Sequence, residues 1–99
     1  MPNISDFEDA FALARAYPDT FEAVPAAETA RLMAGDCVKV CRNDERFWVL
    51  IHTNADGRIS GEVNNELVDP RNADIPCGTI VGLEYRHVYQ TYRTPKERR

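Results

Sequence analysis

No apolar run in this chain exceeds five residues, the length of Phe47-Trp48-Val49-Leu50-Ile51, against the ~20 that a membrane-crossing helix needs. The start, Ser5-Asp6-Phe7-Glu8-Asp9, is acidic, the opposite of the basic n-region of a signal peptide. The expected location is therefore cytoplasmic. Cysteine is sparse: Cys37, Cys41 and Cys77 make an odd number, and without an export signal they read as reduced thiols rather than a disulfide framework. Only five glycines are present, and neither a phosphate-cradling glycine loop, a Gly-x-Ser-x-Gly elbow nor a His-Glu-x-x-His pair occurs. Internal repeats and low-complexity stretches are absent as well. No catalytic residue, metal or cofactor is assigned from the residues.

Forty-three residues are apolar, eleven of them alanine, which leaves 32 larger side chains to build one core. That suits one domain of 99 residues without covalent staples. Charge is unevenly placed. Residues 1–85 carry seven basic and fifteen acidic side chains, whereas residues 86–99 carry Arg86, Arg93, Lys96, Arg98 and Arg99 against Glu97 alone. The result is an acidic body with a basic tail, and such a tail suits contact with nucleic acid or an acidic partner.

Ser5-Asp6-Phe7-Glu8 has the form of a capping box. Behind it Phe7, Ala10, Phe11, Ala14 and Tyr17 recur at helical spacing until Pro18, predicting an amphipathic helix over 6–17 whose aromatic stripe packs on a core. Residues 25–33 read as a second helix, opened by Pro25 and stopped by Gly35. From Asp36 the composition turns β-branched and aromatic, with strands expected at Cys37–Arg42, Arg46–Thr53, Arg58–Asn64 and Thr79–Arg86, and a short fifth piece at His87–Tyr92. The long 65–78 connection contains Asp69-Pro70 and Ile75-Pro76. This order predicts an α+β domain over 1–92: a helical part (5–34) packed on a bent antiparallel sheet of four or five strands (36–92), SH3-like in plan, followed by a basic tail over 93–99.

The second strand is apolar on both faces, with Phe47, Val49 and Ile51 on one and Trp48, Leu50 and His52 on the other. A three-residue loop with Gly57 left-handed sets Val49 opposite Val63 and Ile51 opposite Gly61; a four-residue loop sets Trp48 opposite Val63. Trp48 then either lies under the helices, the ordinary fate of a tryptophan in a small domain, or forms an aromatic and cationic groove with Arg46, Tyr85, Tyr89, Tyr92, Arg86 and His87. Asn64-Asn65 closes the third strand and suits a turn or a contact. Cys37-x3-Cys41 with Cys77, His52 and His87 is too scattered for a structural zinc site, and buried small hydrophobes are the plainer reading.

The string Pro18-Asp19-Thr20-Phe21, Leu32-x-x-Gly35-Asp36-x-Val38-Lys39-Val40, Glu45-Arg46-Phe47-Trp48-Val49, Gly61-x-Val63-x-Asn65 and Ile80…Glu84-x-Arg86-His87-Val88 resembles a family of small uncharacterised bacterial and phage domains, over residues 18–88. The Gly-Asp-x-Val-Lys and Glu-Arg-(aromatic/Met)-Trp-Val blocks are its most specific parts. Gly78-Thr79 stands where the family commonly has Gly-Asp, and Asn64-Asn65 where Asp-Asn is usual. The resemblance implies a fold and domain limits more than an activity, and the Gly35-Asp36 block is explained by a helix-to-strand corner.

The residues thus point to a non-enzymatic protein-binding or accessory module of cytoplasmic or mobile-element origin, contacting a protein through Arg46, Trp48, Asn65, Tyr85 and His87. Two alternatives stand beside it: nucleic-acid contact through Arg86, Arg93, Lys96, Arg98 and Arg99, and a small thiol- or zinc-dependent enzyme. Homodimerisation through an exposed strand edge is a further option.

Overall fold

A computed structural model describes residues 7–21 and 23–94. Two hairpins organise the sheet. Strand β1 (Cys37–Arg42) turns into β2 (Glu45–Ala55) through Asn43-Asp44, both left-handed at φ 53° and 65°. Strand β2 turns into β3 (Arg58–Val63) through Asp56-Gly57, at φ 56° and 80°. Both are two-residue turns whose positive φ values suit Asn, Asp and Gly and match the twist of the flanking strands. Strand β4 (Ile80–Glu84) continues the meander, and β5 (Gln90–Tyr92) returns to the free side of β1, giving the order β4-β3-β2-β1-β5. The sheet is antiparallel throughout and open, with β4 and β5 as its edges.

The register is the first of the two predicted, reached by a different route. Val49 faces Val63 and Ile51 faces Gly61, but the loop has two residues, and an irregularity between Ile51 and Thr53 restores the offset. His52 is the extra residue of this β-bulge. A bulge reverses which face the following residues address, and here it turns Asn54 toward the helical side. Its amide donates to the carbonyls of Thr29 and Leu32, both at 2.9 Å, and its Oδ1 accepts from the Tyr85 hydroxyl at 2.7 Å. The carbonyls that the end of a helix leaves unpaired are thereby satisfied.

The helices are shorter than their periodicity predicts. Helix α1 spans Ala10–Ala16, and its N-cap is Asp9, which accepts from the Ala12 N–H at 2.9 Å. The expected Ser5 cap lies outside the described residues. The Glu8 carboxylate accepts from the Tyr89 hydroxyl at 2.6 Å, and its own N–H donates to the Cys41 carbonyl. Helix α2 is one turn, Ala26–Thr29, and the chain then reaches β1 through Gly35 at φ 94°. Asp36 makes this corner: buried, it accepts from the N–H groups of Met33 and Thr94, each at 3.0 Å.

One apolar cluster joins Phe7, Val24 and Leu32 of the amino-terminal segment to Val38, Val40, Phe47, Val49, Ile51, Ile59, Val63, Val81, Leu83 and Val88. The segments flanking the helices, at Phe7, Val24 and Leu32, therefore cover the Phe47/Val49/Ile51 face, while Ala10 and Leu13 of α1 pack with Phe21 and Ala23 against Cys41 and Tyr89. The expectation that Trp48 lies beneath the helices is corrected by this packing. The 65–78 connection is held to the β1–β2 hairpin by polar groups. The Glu45 carboxylate accepts from the N–H groups of Val68 and Asp69 and from Asn72 Nδ2, while the guanidinium of buried Arg42 meets Asp74 at 2.9 Å and Asn72 Oδ1 at 3.2 Å. Among the described residues no helix is long and apolar enough to cross a membrane.

Candidate binding face around Trp48

The side of the sheet away from the main apolar cluster carries Arg46, Trp48 and Leu50 of β2, spaced about 6–7 Å apart by strand geometry, and its Cys41 end is covered by Ala10, Leu13 and Phe21, which pack there with Tyr89. Lys39 stands opposite Trp48, and Cys37 opposite Leu50. One register row runs across all five strands, Ile80–Glu62–Leu50–Cys37–Tyr92. Tyr92 is 53% and Ile80 41% exposed, while Trp48 and Leu50 are half-buried.

The aromatic groups on this side are ordered by one another and by cations. Tyr92 meets Trp48 edge-on, with ring centroids 6.5 Å apart and planes at 72°, the arrangement that ring quadrupoles favour. Lys39 Nζ lies 5.2 Å from the Trp48 ring centroid, and the Arg46 guanidinium 4.7 Å from that of Tyr89, both within cation–π range. Beside Trp48 a cleft of about 330 Å³ is lined by Cys37, Trp48, Asn64 and Tyr92. A second hollow of about 190 Å³ lies by Arg46, lined also by Thr20, Phe21, Tyr89 and Gln90.

The other residues singled out by sequence fall elsewhere. Asn65 is a turn residue: its Oδ1 accepts from the Trp48 N–H at 2.6 Å, and with the Asn64 N–H to Trp48 carbonyl bond it fixes the backbone under the tryptophan. Tyr85 packs against the core, its hydroxyl taken by Asn54. His87, only 1% exposed, ends the 3-10 turn Tyr85–His87, accepts at Nδ1 from the Glu84 N–H at 2.9 Å and lies against Phe7. A surface contact through His87 is therefore corrected: burial removes its ring from any partner's reach. Arg86, its side chain 41% exposed, is bonded to Glu84 at 2.7 Å and lies 3.5 Å from Asp9. Arg93 is exposed, and Lys96, Arg98 and Arg99 lie outside the described residues.

All three cysteines are free thiols. Burial, then Glu8, pushes the Cys41 thiol up to about 11, and burial with nearby Asp36 raises Cys37. Both stay protonated near neutral pH, which disfavours a thiolate nucleophile. No three His, Cys, Asp or Glu side chains cluster as metal ligands among the described residues. What sequence reasoning missed is Lys39, partner of Trp48 on the open face. The signal was available: Val38 and Val40 alternate with it on β1, as Ile59 and Val63 do on β3, and the three strands can share an apolar face only if Trp48 and Lys39 lie on the other. Scans against protein-family models, curated proteins and solved structures find no match to this chain.

Proposed function

We propose that this chain is a non-enzymatic protein-binding module whose contact surface is the open sheet face centred on Trp48. The observation that carries the reading is a half-buried tryptophan on the face away from the main apolar cluster, with Tyr92 and Lys39 against its ring. Tryptophan, tyrosine and arginine dominate binding energy where partners meet; Arg46 and Trp48 lie two positions apart on β2, and Tyr92 of β5 reaches the Trp48 ring across β1. An SH3-like plan belongs to the same proposal. It is supported by the β4-β3-β2-β1-β5 order and by the 3-10 turn between β4 and β5, and the resemblance to small bacterial and phage domains adds an accessory role on a mobile element.

Affinity capture from host extract, using the full chain and its Trp48→Ala variant, tests the reading. A protein retained in stoichiometric amount by the parent and by Val68→Ser, a change at a residue 86% exposed outside this face, is expected to be lost from Trp48→Ala. Equal capture by all three contradicts it, provided circular dichroism reports the same fold.

A further inference from the structure

Neither cation of this face forms an ion pair among the described residues. Among the described residues Asp74, Asp9, Asp44, Asp69, Glu62 and Glu84 each meet a basic side chain, yet neither Lys39 nor Arg46 enters an ion pair. Both lie instead over aromatic rings, on neighbouring register rows, Lys39 opposite Trp48 and Arg46 opposite Cys41. Two acidic groups on this side are engaged otherwise: Glu8 holds the Tyr89 hydroxyl, and Glu62, at the far side of Leu50, holds His52 Nε2 at 2.8 Å. A body of net negative charge thus presents a short positive stripe flanked by the cleft of Cys37, Trp48, Asn64 and Tyr92.

From this charge pattern we infer that the partner segment is acidic: an extended peptide that sets carboxylates against Lys39 and Arg46 and one apolar side chain in the Trp48–Tyr92 cleft. This rests on the proposed use of the open face and adds the chemistry of what that face takes. A ring already in contact with a cation keeps that contact when a carboxylate binds the cation's outer side, so aromatic and ionic contacts reinforce rather than compete. The remaining negative charge of the body does not forbid this, because charges beyond the ~8 Å Debye length at physiological salt are screened. It does orient the approach, since the stripe is where an acidic segment meets attraction first.

Selection of a random-peptide display library on the full chain, followed by titration of the selected peptides, tests the inference. The expected binders are rich in Asp and Glu around one aromatic or aliphatic residue. They are expected to weaken about tenfold in Lys39→Glu, to weaken with added salt, and to be lost from Trp48→Ala. Peptides carrying Lys in place of Glu are expected to recover binding to Lys39→Glu. Neutral or basic binders that still depend on Trp48 overturn the acidic partner while leaving the face as a binding surface. Self-association that is lost in Trp48→Ala replaces the acidic peptide with a second copy of this chain and likewise overturns it. Selected peptides indifferent to Trp48→Ala overturn both the partner and the face.

Discussion

At His87 the Glu84 N–H donates to Nδ1, which leaves the proton of a neutral ring on Nε2, where no described residue offers an acceptor. Burial, reinforced by Arg86, lowers the pKa of this ring from its ordinary 6.5. The unfolded chain then takes up the proton first, so stability is full above about pH 6.5 and is lost as pH falls from there through the native value. Urea midpoints are expected to drop between pH 7.5 and 5.5, and the drop to shrink in His87→Gln, whose side chain can still accept from Glu84. A midpoint equal at the two pH values contradicts the buried neutral ring. Gly61 makes a second residue-level claim. A Cβ there would collide with the Leu50 carbonyl and come within 2.8 Å of Val49 Cγ1, so Gly61→Ala is expected to lower unfolding free energy by about 1–3 kcal/mol. Denaturant titration checks it, and an unchanged midpoint would show that β2 and β3 can move apart freely.

Among the elements, the bulge at His52 decides more than its one residue suggests. Without it Asn54 would point to the open side, the carbonyls of Thr29 and Leu32 would lose their donors, and Tyr85 would lose its acceptor. Asn54→Ala is therefore expected to cost about 1–3 kcal/mol and to raise amide exchange across residues 26–33 first; uniform loss across the sheet would place its role elsewhere. Asn72 does the same for the long connection, with its buried amide bonded to the Arg42 carbonyl and to Glu45. Asn72→Ala is expected to cost about 2–4 kcal/mol, read by urea unfolding. Strands and hairpins were legible in the sequence because β-branched runs meet Asn-Asp and Asp-Gly pairs whose backbone preferences are local. The bulge was not, since an extra residue in an apolar strand leaves no compositional mark. Helix lengths were overread because periodicity ignores competing partners: Tyr89 claims Glu8, and Asp36 claims the Met33 N–H that a longer α2 would spend internally.

For the whole molecule, charge and hydrophobicity are distributed so that Lys39 and Arg46 stand on one face outside any ion pair of the described residues while the opposite face holds the main core. The two-faced β2 was legible from sequence as an ambiguity, and packing resolved it: Phe7, Val24 and Leu32 cover the face that Val38, Val40, Ile59 and Val63 share. Arg46 and Trp48 remained in the candidate site because strand alternation holds them together. Tyr85 and His87 left it because the turn after β4 folds back onto the core, a tertiary event with no local signature. In the proposed function Trp48, the single tryptophan of the chain, is open in the free protein and covered in the complex. Fluorescence quenching measures both states. Acrylamide is expected to quench the free protein readily, iodide to do so better than caesium because Lys39 lies over the ring, and the captured partner to suppress quenching. A tryptophan inaccessible before the partner is added, or quenched to the same extent after it, would rule out Trp48 as the contact.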